Sequence, residues 1–272
     1  MRFFEELGSI VEQRWRAANY GEESFPEIAA LALAETNPSE RVDPLDIVRW
    51  VQGATSLPPQ ADIEAKFGNP PLTLFAGPRF HIDVYFWLDG TTSIHQHAFS
   101  GAFQVLAGSS IHSRYLFARN RQINDHFSVG QVIYDTSELL AKGDIRPILP
   151  GDQFIHSLFH LDRPSATVVV RTYQTTSALP QFNYLKPGLA IDPFFKEESA
   201  VRKVQCAALL LGARHAEADS ILCEMISSSD FHTAFLLLDT AFKHLTADEI
   251  ERIFHLSTGR ERFQNLVERA RE

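Results

Sequence analysis

Residues 87–117 read WLDGTTSIHQHAFSGAFQVLAGSSIHSRYLF. The stretch opens on a Gly-Thr-Thr turn at 90–92, passes through His95 and His97, and continues into apolar runs at 102–106 and 111–117. In a strand, successive side chains point to opposite faces, so residues two apart share one face. The pattern therefore predicts a strand that presents His95 and His97 together to whatever that face covers. Two imidazoles side by side are half of a metal site. A lone His-x-His pair also arises by chance, so its surroundings decide how it is read.

Working outward, residues 80–87 (FHIDVYFW) are aromatic and β-branched, as strands are. Short apolar runs recur at 102–106, 111–117, 131–134, 146–149 and 167–173. Turn residues separate them at Asp89-Gly90, Gly108, Asn124-Asp125, Gly130, 142–144, 150–152 and 162–164. Many short strands at this spacing predict an antiparallel sandwich or barrel.

The flanks change period. Phe3, Phe4, Leu7, Ile10, Val11 and Trp15 form one helical stripe. Ser24 reads as the N-cap of a second helix that stops near Asn37-Pro38, and Asp43-Pro44 opens a third that ends at Gly53. Prolines 58, 59, 70 and 71 mark a connector. Beyond Pro193, helical runs are predicted at 201–211, 216–225, 231–242 and 247–254, packing in antiparallel pairs, before a charged tail, RERFQNLVERARE. Three regions result: a helical one over 1–71 that packs on the barrel, a β region over 72–192 and a helical one over 193–272.

Net charge is −9 with no basic run, which argues against nucleic acid as partner. No run of 18 apolar residues is present, which argues against a membrane span, and MRFFEELGSIVEQRW does not read as a signal peptide. The two cysteines, Cys206 and Cys223, fall in helical sequence, so no disulfide framework is expected and a cytoplasmic setting fits.

Eleven histidines are present. Those at 215, 232, 244 and 255 fall on C-terminal helices and read as surface or boundary residues. His81, His112, His126 and His160 have no partner at ligand spacing and read as packing or solvent-facing, His81 being placed to stand behind a site. His156 differs, because it follows the Pro150-Gly151-Asp152 turn that delivers a new strand. If that strand runs antiparallel to the one bearing His95 and His97, three neutral imidazoles share one interior. The same spacing also fits a satisfied core histidine. His160, four residues on, lies on the same face and competes with His156 for the third place.

These blocks resemble the cupin superfamily. Its first motif runs glycine, His-x-His, usually glutamate, then glycine. Gly90, His95, His97 and Gly108 match it, with the leading glycine one residue short and Gly101 in the glutamate position. Pro150, Gly151 and His156 match the second motif loosely, and the resemblance covers about 72–185. It implies a cupin-like antiparallel β-barrel, a double-stranded β-helix or jelly roll, with helical N- and C-terminal regions.

Absence of the glutamate is similar to the thiol dioxygenases, which hold Fe(II) with three histidines and no carboxylate. In that family a tyrosine follows the third histidine by 17 residues, and Tyr173 stands 17 residues after His156. The resemblance thus implies His95, His97 and His156 as iron ligands and Tyr173 as an active-site hydroxyl. Three departures stand out. Ala102 fills the position of a cysteine that some members crosslink to the tyrosine. The region where the family carries a substrate-binding arginine offers only Arg79, close to the strand. Arg171 stands where the family often has a histidine; it shares the face of Tyr173 and is either an anion clamp for substrate or a surface ion pair.

The leading expectation is therefore a mononuclear non-heme iron oxygenase acting on a small molecule, a thiol, with dioxygen as co-substrate. Phe80, Tyr85, Phe86, Trp87, Phe99 and Phe103 would wall its interior against water. Two other classes compete: a cupin-type binding protein without redox activity, and a metal-dependent isomerase or hydrolase. The C-terminal helices would cap the barrel, build a homo-oligomer or bind a partner.

Overall fold

The computed structural model describes residues 1–272 apart from 62–66, 89, 174–179, 187 and 258–272, and apart from the side chains of 252 and 254–257. By density of internal contacts the chain divides into two compact units. One comprises Met1–Phe117 with Ile133–Tyr184, the other Ala118–Val132 with Leu185–Glu272.

The first unit begins with helices. α1 (Arg2–Ala17) buries Phe4, Leu7, Val11 and Trp15, the stripe set by spacings of three and four. α2 (Phe25–Thr36) ends on Asn37 in the left-handed region at φ 44°, and Pro38 starts a single turn, α3 (Pro38–Arg41). α4 (Pro44–Gly53) is capped by Asp43, whose carboxylate accepts from the Leu45 amide at 2.8 Å. The cap expected at Ser24 does not form. A 3-10 turn (Glu22–Ser24) runs straight into α2, so the Ser24 backbone is already helical and its hydroxyl donates to the Gly21 carbonyl instead.

Among the described residues eleven strands follow: β1 (Pro71–Ala76), β2 (Phe80–Trp87), β3 (Ile94–His97), β4 (Gly101–Ala107), β5 (Ser110–Asn124), β6 (Phe127–Leu140), β7 (Ile145–Ile148), β8 (Gly151–His160), β9 (Ser165–Thr172), β10 (Asn183–Leu185) and β11 (Leu189–Ile191). They form a five-stranded sheet in the order β1-β2-β9-β4-β7 and a closed six-stranded barrel in the order β10-β11-β6-β5-β8-β3. The fold is thus an antiparallel β-barrel protein with helical flanks, the cupin-like architecture that the sequence implied.

β2, β9 and β4 are buried on both faces, and alternation sorts their side chains. Phe80, Ile82, Val84 and Phe86 join Ala102, Leu106, Val168 and Val170 in a core with α1 and α2. Tyr85, Trp87, Phe103, Val105 and Val169 point the other way, to a second core shared with Phe154 and Leu158 of β8. Phe80 and Phe86 therefore do not wall the interior, because even positions on β2 face the helices.

The second unit carries α5 (Glu198–Gly212), α6 (Ala218–Ser228), α7 (Phe231–His244) and α8 (Ala247–Ser257) around Leu211, Leu222, Ile226, Leu237 and Ile253. His232 is fully buried there against Phe127 and Phe195 rather than at the surface, because α7 turns its first residues inward. The charged tail falls outside the described residues. Cys206 and Cys223 form no disulfide among the described residues. Among the described residues no helix is long and apolar enough to cross a membrane.

Candidate metal centre

β3 and β8 run antiparallel with His95 directly opposite His156. Gly151 starts β8 at φ +67°, a backbone conformation that favours glycine and lets the chain leave Pro150 and enter the strand at this register. His97 follows His95 by two and shares its face. Ligand atoms of His95, His97 and His156 all lie within 4.8 Å of one another, and all three residues are buried.

His95 Nδ1 lies 2.8 Å from the Ser93 carbonyl, so Nδ1 carries the hydrogen and Nε2 is a bare lone pair. That Nε2 is buried with no hydrogen-bond partner among the described residues. Nε2 of His97 lies 2.9 Å from Nε2 of His156. An ion held about 2.0–2.1 Å from imidazole nitrogens places neighbouring donors about 3 Å apart. An orphaned, buried lone pair beside two converging nitrogens thus fits a metal ion. Its place in the fold also keeps the imidazoles neutral, as ligands must be. Burial pushes His95, His97 and His156 below the ordinary histidine value, and mutual repulsion pushes His97 and His156 further.

Among the described residues no carboxylate joins them. Gly101, in the position where cupins usually carry glutamate, pairs with Arg171 of β9, and a Cβ built on it would lie 2.2 Å from the Val170 carbonyl oxygen. Close strand approach excludes any side chain at that position.

His112, which the sequence leads one to expect as packing or solvent-facing, instead backs the histidine group. It is buried, with Nε2 3.0 Å from Nδ1 of His156 and Nδ1 3.0 Å from Glu138. Its ligand-like spacing is invisible in sequence because its partners come from β6 and β8. His160 sits elsewhere: its ring stacks on Trp87 at 4.7 Å and its Nδ1 meets the Ser165 hydroxyl at 2.8 Å. His126 is half-exposed and pairs with Asp192 at 2.7 Å.

Arg171 is tied to a buried carboxylate. Its Nε donates to His81 Nε2 at 2.7 Å and to Asp83 Oδ2 at 3.2 Å, while Thr73 and Tyr85 hydroxyls also donate to Asp83. Burial alone would raise the Asp83 pKa; its hydrogen bonds and the neighbouring Arg171 charge outweigh it and hold the carboxyl low. The guanidinium lies 4.5 Å over the Phe99 ring, and Phe99 packs 4.5 Å from His97. One aromatic ring thus stands between Arg171 and the histidine group. Tyr173 is half-exposed at the end of β9; its hydroxyl donates to the Gly77 carbonyl at 2.9 Å and its ring contacts His81. The structure brings the three histidines together. It links Arg171 to them through Phe99, and turns the described contacts of Tyr173 toward Gly77 and His81.

No known protein family and no curated protein matches the sequence. Solved structures overlap with part of it. A cupin-2 domain protein from Shewanella frigidimarina aligns at TM-score 0.27 and 13% identity, covering 39% of this chain and 82% of its own. Hydroquinone 1,2-dioxygenase from Sphingomonas sp. TTNP3, with 4-hydroxybenzoate bound, aligns at TM-score 0.30 and 14% identity, covering 40% of this chain and 68% of its own. KdgF from Halomonas sp. aligns at 0.27 and 12%, covering 38% and 77%. The functional reading rests on the histidines themselves.

Proposed function

We propose that the chain is a mononuclear non-heme iron oxygenase that adds dioxygen to a small thiol. The observation that carries this reading is the convergence of His95, His97 and His156, buried and, among the described residues, without a carboxylate. Three neutral imidazoles leave the charge of a divalent cation uncompensated, which favours an anionic donor such as a thiolate as the next ligand. A ferrous ion held there would lower a thiol pKa and supply the one-electron chemistry that dioxygen needs. The overall change is RSH + O2 → RSO2H, with four electrons passing from sulfur to oxygen.

The protein's own part is positioning and exclusion of water. His95 is aimed by the Ser93 carbonyl. Phe67, Phe99, Phe103 and Phe154 pack apolar surface against the histidines. Arg171, braced from behind by Asp83, offers its outer nitrogens to an anionic group on the substrate. Tyr173 enters the same reading as a hydroxyl donor to the substrate, which requires it to exchange the Gly77 carbonyl for that bond.

The test is metal analysis of protein purified without oxygen, then oxygen-electrode assays with small thiols. About one iron per chain and thiol-dependent oxygen uptake are expected. A metal-loaded protein without oxygen uptake would instead be a metal-dependent isomerase, hydrolase or binding protein. One that takes up no metal after reconstitution would leave only a ligand-binding barrel.

A further inference from the structure

The three candidate ligands are not held alike. His95 is oriented by a backbone carbonyl, whereas His156 is oriented by another side chain. Behind His156 runs a chain of bonds: His156 Nδ1 to His112 Nε2 at 3.0 Å, then His112 Nδ1 to Glu138 Oε1 at 3.0 Å. Arg146 grips the same carboxylate, with Nε donating to that Oε1 at 2.9 Å and Nη2 to Oε2, completing the fork. Each member comes from a different strand, β8, β5, β6 and β7. Arg114 of β5 lies opposite His156, so His112, two residues earlier, sits diagonally across on the same face.

The direction of this chain is forced. The bonds to Arg146 hold the Glu138 carboxyl down to about 2, so it stays a carboxylate, which has no hydrogen to give. His112 must then donate from Nδ1. A neutral imidazole carries one hydrogen, so His112 Nε2 accepts and His156 Nδ1 donates. The remaining nitrogen of His156, Nε2, is bare and faces His97.

We propose that His112 and Glu138 are positioning residues that set His156 in the Nδ1-protonated tautomer and so keep its Nε2 open to a metal ion. The use of this relay rests on the three-histidine reading of the site. Its direction does not, since the tautomer is a property of the metal-free protein.

The test uses full-length protein with 15N-labelled histidine, stripped of metal, in which long-range proton–nitrogen spectra show which ring nitrogen is protonated. Nδ1 protonation is expected for both His112 and His156. Glu138→Leu removes the acceptor that holds the His112 hydrogen on Nδ1, so nothing then fixes the direction of the chain. His156 should then shift toward Nε2 protonation, and cobalt(II) affinity, read by visible absorption titration, should fall roughly 10- to 100-fold. His112→Phe should show a similar loss, and Glu138→Asp, which keeps a carboxylate, should recover part of it. Wild-type His156 protonated on Nε2 would overturn the proposal without recourse to any variant. So would an unchanged His156 tautomer in Glu138→Leu together with unchanged cobalt affinity in both Glu138→Leu and His112→Phe. Wild-type protein that binds no cobalt(II) would sink the three-histidine reading, and the tautomer spectra would still decide the relay.

Discussion

His95 and His156 face each other across an antiparallel strand pair, 61 residues apart in sequence and 4.6 Å apart at their ring centroids. Register alone brings them together, and His97 joins by the two-residue period of its strand. A one-residue slip of β8 would turn His156 out of the interior. The metal reading is therefore a statement about register, and it can be tested residue by residue.

His156→Ala should abolish stoichiometric metal binding, whereas His160→Ala should retain it. His160 is held by Trp87 and Ser165 and does not belong to the convergent group. Metal analysis of the two variants after anaerobic reconstitution decides the matter. Retention in His156→Ala with loss in His160→Ala would reassign the third ligand.

Gly101 marks where a fourth, carboxylate ligand is sterically barred. Gly101→Ala should lower stability by about 1–3 kcal/mol, as overpacking does, because its Cβ meets the Val170 carbonyl oxygen. Gly101→Glu should be worse folded and should gain no metal affinity. Denaturant unfolding and metal titration check both; a stable Glu variant with tighter metal binding would contradict the packing argument.

Arg171→Met removes one partner of a buried carboxylate that keeps its bonds to Thr73 and Tyr85. The stability loss should be about 1.5–3 kcal/mol, as for a hydrogen bond to a charged group. For thiols that carry a second anionic group KM should rise, while uncharged thiols should be used as before. Equal effects on both substrate types would remove Arg171 from the site.

Tyr173→Phe should leave metal content unchanged and lower stability by about 0.5–1.5 kcal/mol through loss of the bond to Gly77. Under the proposed role in substrate contact, turnover should also fall at least about tenfold, that is about 1.4 kcal/mol in barrier. Full turnover in the variant would confine the hydroxyl to bracing the end of β9.

Stability should fall as pH drops from about 6.5 to about 4. Burial pushes His160 down to about 4, whereas an unfolded histidine titrates near 6.5. Across that window the unfolded chain binds more protons than the folded one, so acid favours unfolding; above it the contribution is constant. His160→Phe should flatten this limb in denaturant titrations at successive pH values. It should not erase it, because His232, lowered chiefly by burial, tilts stability the same way.

Much of the fold was legible in the chain. The stripe of α1, the Asp43 cap, the alternation of β2 and the turn ahead of β8 are local patterns, each set by a helical or two-residue period. His95 and His97 could be placed on one face for the same reason. His156 could be nominated from its turn.

Tertiary structure decided the rest, because it depends on distances between strands and not along one. Periodicity says that His112 lies on a face of β5; only the pairing of β5 with β8 places it behind His156, and only Glu138 gives that contact a direction. Likewise Phe80 and Phe86 are aromatic in sequence, but the packing of α1 and α2 on the sheet chose which side of β2 became helix core and which became the histidine-lined interior.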